Sequence, residues 1–566
     1  MANSIWRKKP VSMYEADMKK SQLRRVLGRW GLTSLGIGAI IGGGIFTLTG
    51  IAANQFAGPA LAVSFIIAGV GCLFASLCYA EFASVLPVEG SAYAYAYGTV
   101  GEMFAWFIGW NLILEYMMGA TTVAVSWSGY FGKLLHLFDL HLPLFLSMDY
   151  ATAKAELASA TGLTTLQQYM TDLGNALPDL ATIKQAIMQK SADAYELIKD
   201  AKTVDAINGI AAGEKNLSYL QAHYSSINLP GFAFNLPAFL ITWVVTAILV
   251  KGIKEAASTN NIIVVLKVAV VLFVIIAGAF FIDTANWTPF IPERIIDSSG
   301  EGHFGWSGVV TAATIVFFAY IGFDAVSTQA GEAINPKKDV PFAIITSLIV
   351  CTVLYILVSL VLTGMVKYDQ LDLRAPVASA FDGVGITWAV YLIVIAATAG
   401  LTSVMLVMML GQTRIFLGMA KDGLLPRGVF ASIHPKFKTP YKSTLLVGLI
   451  ISIVAALTPI NTVSEMCSMG TLLAFAMVCG AVWLLRKKEP NLERPYKTPF
   501  LPVVATLGMG FNVFLMTQVR AHTWIAFVCW GTLGILVYFI YSRNRSNLAR
   551  LERGEKLEEI TSAGQE

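Results

Sequence analysis

Charge is what this 566-residue chain has little of: 13% of its residues are Asp, Glu, Lys or Arg, against roughly 25% in soluble domains. That deficit excludes a single soluble globular fold. It also excludes disorder, because disordered chains are charge-rich and poor in apolar residues. The net charge is only +4, so no nucleic-acid partner is expected. Cysteine is sparse as well. Cys72, Cys78, Cys351, Cys467, Cys479 and Cys529 stand inside apolar runs without C-x-x-C spacing. They read as small buried hydrophobes in helices, not as a zinc site or redox pair. The histidines are scattered, and neither a nucleophile elbow nor a P-loop occurs. The expectation is therefore no enzyme, no metal and no cofactor.

What the chain has is hydrophobic length. Apolar residues make up 56% of it and the mean hydropathy is +0.64. A membrane span takes about 20 apolar residues. Twelve candidate spans occur, at 32–57, 60–86, 100–132, 235–252, 259–283, 306–330, 341–366, 384–421, 443–460, 464–486, 499–519 and 522–542. The first is too long to be the apolar part of a cleavable signal peptide. Basic residues then orient the spans. Arg7, Lys8, Lys9, Lys19, Lys20, Arg24, Arg25 and Arg29 precede span one. Lys251, Lys254, Lys337, Lys338, the stretch from Arg414 to Lys442, the stretch from Arg486 to Lys497, and Arg543, Arg545, Arg550 and Arg553 all fall on the same side. The opposite loop at 458–465 has no Lys or Arg. The positive-inside rule predicts both the 1–31 and 543–566 tails to be cytoplasmic.

Residues 137–234 interrupt this pattern. They form a long, mostly polar segment between spans three and four, expected on the extracytoplasmic face. Leu180, Ile183 and Ile187, then Tyr195, Ile198 and Ile207, suggest a small helical insert. It reads either as a cap on the membrane body or as a docking site for an unknown partner. Asn216 opens an N-x-S sequon, a weak signal alone.

Two spans carry features that work against a continuous helix. In span one, Gly36, Gly38, Gly42, Gly43 and Gly44 are packed into nine residues, each costing a helix about 1 kcal/mol relative to alanine. They suit either close helix packing or a true break. Broken backbone survives at membrane depth only when it lines a cavity or is buried in protein. The amides of Gly43 and Gly44 would then open a half-helix suited to a carboxylate. In span six, Gly322 and Asp324 interrupt an aromatic run from Phe317 to Phe323. Spans one and six are corresponding members of two five-span halves. Breaks at matching positions point to a transporter with inverted repeats and a central site.

At these residues the chain resembles the amino acid–polyamine–organocation superfamily, and within it the cationic amino acid transporter group with its bacterial permeases. The matching stretches are 36–46, 57–97, 109–116, 317–341 and 411–426. The resemblance implies an all-α membrane protein with twelve transmembrane helices. It implies a LeuT-type five-plus-five inverted repeat with helices one and six broken, and two trailing helices. The expected location is the plasma membrane or bacterial inner membrane.

Three ionisable residues stand at membrane depth, where a charge costs at least about 2.5–3.5 kcal/mol. Lys267 in span five is either a snorkelling residue or a buried lysine able to gain and lose a proton. By resemblance it replaces the coupling cation of sodium-driven relatives, with Thr402 and Ser403 as hydroxyl partners and the proton as coupling ion. Glu115 in span three is a substrate-proximal acid by resemblance, or else a structural acid bonded across the bundle. Asp324 and Gly322 are expected to shape the broken backbone. The substrate carboxylate is expected near Ile40, Ile41, Gly42, Gly43 and Gly44, and its ammonium near Phe317, Phe318 and Ile321. Phe318 is an aromatic gate by resemblance, or an ordinary core residue. Met405 and Met408 are candidates for the side-chain pocket. Glu81 and Arg414 are placed near the inner ends as gate or interface residues. With no further acid in this set, a neutral L-amino acid is favoured over arginine or lysine. The reading is a proton-coupled L-amino acid symporter in contact with membrane lipid; an exchanger and an amino acid sensor are the rivals.

Overall fold

The computed structural model describes residues 5–10, 27–85, 91–138, 140, 142–153, 232–252, 256–296 and 302–555. Its principal helices are α1 (Arg29–Ile40), α2 (Leu61–Val85), α3 (Glu102–His136), α4 (Leu236–Lys251), α5 (Ala256–Gly278) and α6 (Gly305–Phe317). They continue as α7 (Pro336–Met365), α8 (Thr387–Lys421), α9 (Tyr441–Leu457), α10 (Ile460–Lys488), α11 (Leu501–Thr517) and α12 (Ala521–Val537). The strands among the described residues are a two-residue antiparallel pair, Ile295–Ile296 with Gly302–His303, in the loop before α6. Among the described residues, seven helical runs are long and apolar enough to cross a membrane by length and composition. The shorter helices α4, α9 and α11 are apolar too. The first of the seven runs, Gly44–Val85, contains a chain turn at Gly58, whose φ of +58° precedes Pro59.

Packing divides the helices into two groups. Helix α1 lies against α7, and α2 against α6 and α7, whereas α3 and α4 lie against α8 and α9. Helix α5 bridges α1, α7 and α8, and α10 bridges α2 and α3. Small residues permit the tightest of these approaches. A Cβ on Gly69 of α2 would press on Thr352 of α7 and the Tyr320 hydroxyl, the close-packing use of glycine in membrane bundles. Large apolar side chains face outward on α5 and α12, among them Val265, Ile276, Ile525 and Val528, as a lipid-facing surface requires.

Several boundaries differ from the hydropathy reading. Helix α7 begins at Pro336, five residues early, because proline at the first helical position needs no amide acceptor. The polar first turn hid this start. A separate short helix, Pro376–Gly383, precedes α8. Cys529 also departs from expectation: it is exposed on α12, while the other five cysteines are buried. The helical pattern at 180–207 and the sequon at Asn216 lie outside the described residues. The points where the insert joins the body are described. The Phe234 amide donates to the Phe145 carbonyl at 2.8 Å, and Met148, Ala153 and Ala233 form a small apolar cluster.

The chain termini meet at the start of α3. Glu102 is fully buried and accepts from Ser546 (2.7 Å), Tyr97 and Tyr538 (both 3.2 Å). Arg7 adds an ion pair to Glu102 at 3.4 Å and a second to Glu552 at 2.8 Å. Lys9 pairs with Asp422 just beyond α8 at 2.9 Å. Removing one member of a buried pair strands the other charge, which costs about 3–5 kcal/mol, whereas a solvent-exposed pair is worth about 0–1 kcal/mol. Thermal unfolding in detergent is therefore expected to show a large loss for Glu102→Ala. Glu552→Ala, at a side chain 47% exposed, is expected to change little.

Candidate functional site

Both expected breaks are present. Helix α1 ends at Ile40, where Ile41 turns extended with ψ 101°, and helical backbone resumes as a π-helical segment, Gly44–Leu48. Helix α6 tightens into a 3-10 turn at Phe318–Tyr320. The chain then passes through extended Ile321 and positive-φ Gly322 before a second 3-10 segment, Asp324–Glu332. The first amides of a new helical segment have no intrahelical acceptor, and the last carbonyls of the preceding one have no intrahelical donor. Each break therefore exposes donors and acceptors inside the protein.

The glycines of span one do more than lower helix propensity. A Cβ on Gly44 would overlap Ala319, one on Gly43 would fall 2.8 Å from the Ser126 hydroxyl, and one on Gly42 would press on Val404. Gly322 lies equally close to the Ala39 carbonyl group. The two breaks thus touch backbone to backbone, which accounts for glycine at both.

Lys267 is completely buried, so it does not snorkel. Its ammonium donates to the carbonyls of Gly38 and Ile41, the latter at 3.1 Å. These are carbonyls released at the end of α1, where the helix dipole concentrates partial negative charge. Gly400 of α8 leaves room for the lysine chain, since a Cβ there would strike its Cδ and Cγ. Of the two expected hydroxyl partners, Thr402 donates to Thr398 of its own helix at 2.9 Å, and Ser403 is buried. The lysine bonds described go to backbone carbonyls instead.

Glu115 and Asp324 are both buried and interact electrostatically. Tyr116 donates to Asp324 at 3.2 Å. Among the described residues, both carboxylate oxygens of Glu115 and Oδ1 of Asp324 have no hydrogen-bond partner. The same holds for the hydroxyls of Tyr79, Ser126 and Ser468. Unpaired buried polar atoms are costly, and of these Tyr79 lies within electrostatic range of both acids. Phe317 packs edge-on against Phe475 with centroids 5.8 Å apart. Phe318, Ile321, Met405 and Met408 are buried.

Glu81 and Arg414 do not join this centre. Glu81 is held by Arg486 and Arg494 and by the Thr498 amide at 2.8 Å, while Arg414 donates to Gln329 at 3.0 Å. The sequence reading missed Tyr355 of α7, whose hydroxyl meets the carbonyls of Ile40 (2.8 Å) and Ala319 (3.0 Å). A lone phenol inside the apolar stretch Cys351–Leu360 was its one available signal, since a buried tyrosine hydroxyl usually finds a partner.

Residues 27–541 match the amino acid permease family. The chain is 39% identical over 546 residues to the methylthioribose transporter of Bacillus subtilis, covering 96% of this chain and 99% of the relative. It is also 39% identical over 550 residues to the branched-chain amino acid permease BcaP of that organism, with 97% and 100% covered. A cationic amino acid transporter of Arabidopsis thaliana, number 4, vacuolar, is 32% identical over 496 residues, covering 86% of this chain and 68% of the relative. These relatives are permeases and transporters rather than enzymes.

The backbone contact between the breaks is directly testable. Gly322→Ala would place a Cβ 2.9 Å from the Ala39 carbonyl group at φ 123°, and is expected to destabilise the protein by more than about 1 kcal/mol. Gly418→Ala, with open space around the new methyl in α8, is expected to be neutral or to stabilise by up to about 1 kcal/mol. Thermal unfolding of the two variants side by side provides the comparison.

Proposed function

The chain belongs to the amino acid permease family, and on that premise we propose that it imports L-amino acids by proton-coupled symport. The observation that carries the coupling is the grip of buried Lys267 on the Gly38 and Ile41 carbonyls. A hydrogen bond from a charged donor is worth about 1.5–3 kcal/mol. When the ammonium gives up its proton, that charge–dipole attraction is lost and the end of α1 is freed to move. The protonated lysine thus plays the part of a tethered cation holding the first break closed. A proton from outside restores it.

The substrate carboxylate meets the amides of Gly43 and Gly44, and its ammonium meets the carbonyls of the span-six break around Phe317, Phe318 and Ile321. Glu115 and Asp324 supply negative potential to the ammonium side. Phe318 closes over the substrate, and Met405 and Met408 shape the side-chain pocket. The pairing of α2 with α7, α3 with α8 and α4 with α9 supports twelve membrane helices in a five-plus-five inverted repeat. Transport proceeds by alternating access around a central site. The membrane is the bacterial plasma membrane, with both tails cytoplasmic and the 137–234 insert on the outer face. The proton is the coupling ion, and no other cofactor is invoked.

The relatives leave two substrate chemistries in play. BcaP is named for branched-chain amino acids, which agrees with a neutral side-chain pocket. The equally similar methylthioribose transporter is named for a thio-sugar with no carboxylate–ammonium pair, so the same fold serves a second reading. A ligand that binds only the native state raises its thermal stability. Thermal-shift screening of the purified protein against the twenty amino acids and methylthioribose separates these readings: the expected result is a shift with neutral amino acids and none with the thio-sugar.

In proteoliposomes, Lys267→Ala is expected to abolish accumulation driven by a pH gradient while counterflow exchange persists. Undiminished pH-driven accumulation in that variant sinks the coupling reading. Wild-type protein that exchanges but never accumulates establishes an exchanger.

A further inference from the structure

Tyr355 takes no part in the transport reading above, yet it stands where the two broken helices come closest. Its hydroxyl is 2.8 Å from the Ile40 carbonyl at the end of α1 and 3.0 Å from the Ala319 carbonyl in the span-six break. One oxygen within hydrogen-bonding range of both holds the two carbonyls within about 6 Å of each other. The ring is fixed from two sides, by Phe65 at 5.4 Å and by Tyr320 at 5.5 Å between centroids. The side chain is fully buried. Cys351, one turn earlier on the same face of α7, is buried as well. Tyr355 and Lys267 therefore hold the same stretch, Gly38 to Ile41, from two different helices.

A phenol has one proton to donate. With two carbonyls in range it donates to one at a time, and the other keeps a lone pair for another donor. Ala319 lies against Gly44, so the carbonyl that Tyr355 orients and an amide proposed for the carboxylate belong to one contact. We propose that Tyr355 is a positioning residue: its hydroxyl sets the spacing between the carboxylate half and the ammonium half of the site, and so enforces selection of α-amino acids. The inference rests on the reading that an amino acid spans the two breaks. A β-amino acid carries one more carbon between its charged groups and cannot satisfy both halves at that fixed spacing.

The test is the ratio of affinities for each L-amino acid that binds and for its β-homologue, measured by calorimetry on the purified protein. Wild-type protein is expected to favour the α form. Tyr355→Phe keeps the ring and removes the spacer. It is expected to weaken α-amino acid binding about tenfold, the scale of one lost hydrogen bond, and to bring the α/β ratio close to one. Tyr320→Phe removes a neighbouring buried hydroxyl, which bonds the Phe65 carbonyl at 2.7 Å, and is expected to leave the ratio unchanged. Replacing Tyr355 by 4-aminophenylalanine restores a donor on the same ring and is expected to restore the preference, also if the Phe variant fails to fold. An unchanged ratio in Tyr355→Phe, or the same collapse in Tyr320→Phe, overturns the proposal while amino acid binding by wild type leaves the transport reading standing. Wild-type protein that binds no amino acid overturns both.

Discussion

Backbone released inside a membrane protein must be answered inside that protein, because lipid supplies neither donors nor acceptors. Most of what is distinctive here follows from that constraint. Two helices stop short in the interior, and each stop frees carbonyls on one side and amides on the other. Side chains on α5 and α7 answer the carbonyls at the end of α1: Lys267 takes Gly38 and Ile41, and Tyr355 takes Ile40. On the amide side, the Asp324 carboxylate takes amides of the span-six break, and glycine occupies the first break. Glycine there serves two ends: it lets the breaks lie against one another, and it keeps Cβ atoms away from the exposed N–H groups.

The buried acids obey the same logic with opposite sign. Structural acids in this protein are well provided for. Glu102 has four donors, and Glu81 has two arginines and an amide. Glu115 has Thr471 beside it, and Asp324 has the Tyr116 hydroxyl with the amides of the span-six break, from Gly322 to Ala325. Buried polar atoms are ordinarily satisfied. The contrast within one protein is therefore one of charge: Glu102 and Glu81 are paired with arginine, whereas Glu115 and Asp324 face one another.

The breaks were legible in the sequence because five glycines in nine residues weaken a helix and Gly322 with Asp324 stands at the matching place in the other half, although Gly36 and Gly38 serve the helix packing that was the other reading. It also carried the depth of Lys267, Glu115 and Asp324, since charge within an apolar run is rare enough to be noticed. It did not carry what those groups touch. Thr402 and Ser403 were expected beside the lysine, but the bonds described run to backbone, which has no residue-type signature. Tyr355 was passed over for the same reason: a tyrosine is unremarkable by composition, and its significance lies in two carbonyls 36 and 315 residues away along the chain. The meeting of the termini at Glu102 was equally hidden, because ion pairs between Arg7, Glu102 and Glu552 join segments with no local relation. The start of α7 was misjudged because its first turn, Pro336 to Asp339, is polar and lies ahead of the apolar stretch.

The fastening at Phe145 and Phe234 bears on how such a chain acquires length. Closing a long loop costs entropy that grows only slowly with its size, and here the first and last residues of the insert meet that cost with contacts to one another. The two ends of the insert are joined by a backbone bond and a small apolar cluster. The doorway between α3 and α4 is thus indifferent to how many residues pass through it. Because the ends are already held together, a change in the length between them adds little to the cost of closure, and the helices beneath need not shift their register to accommodate it.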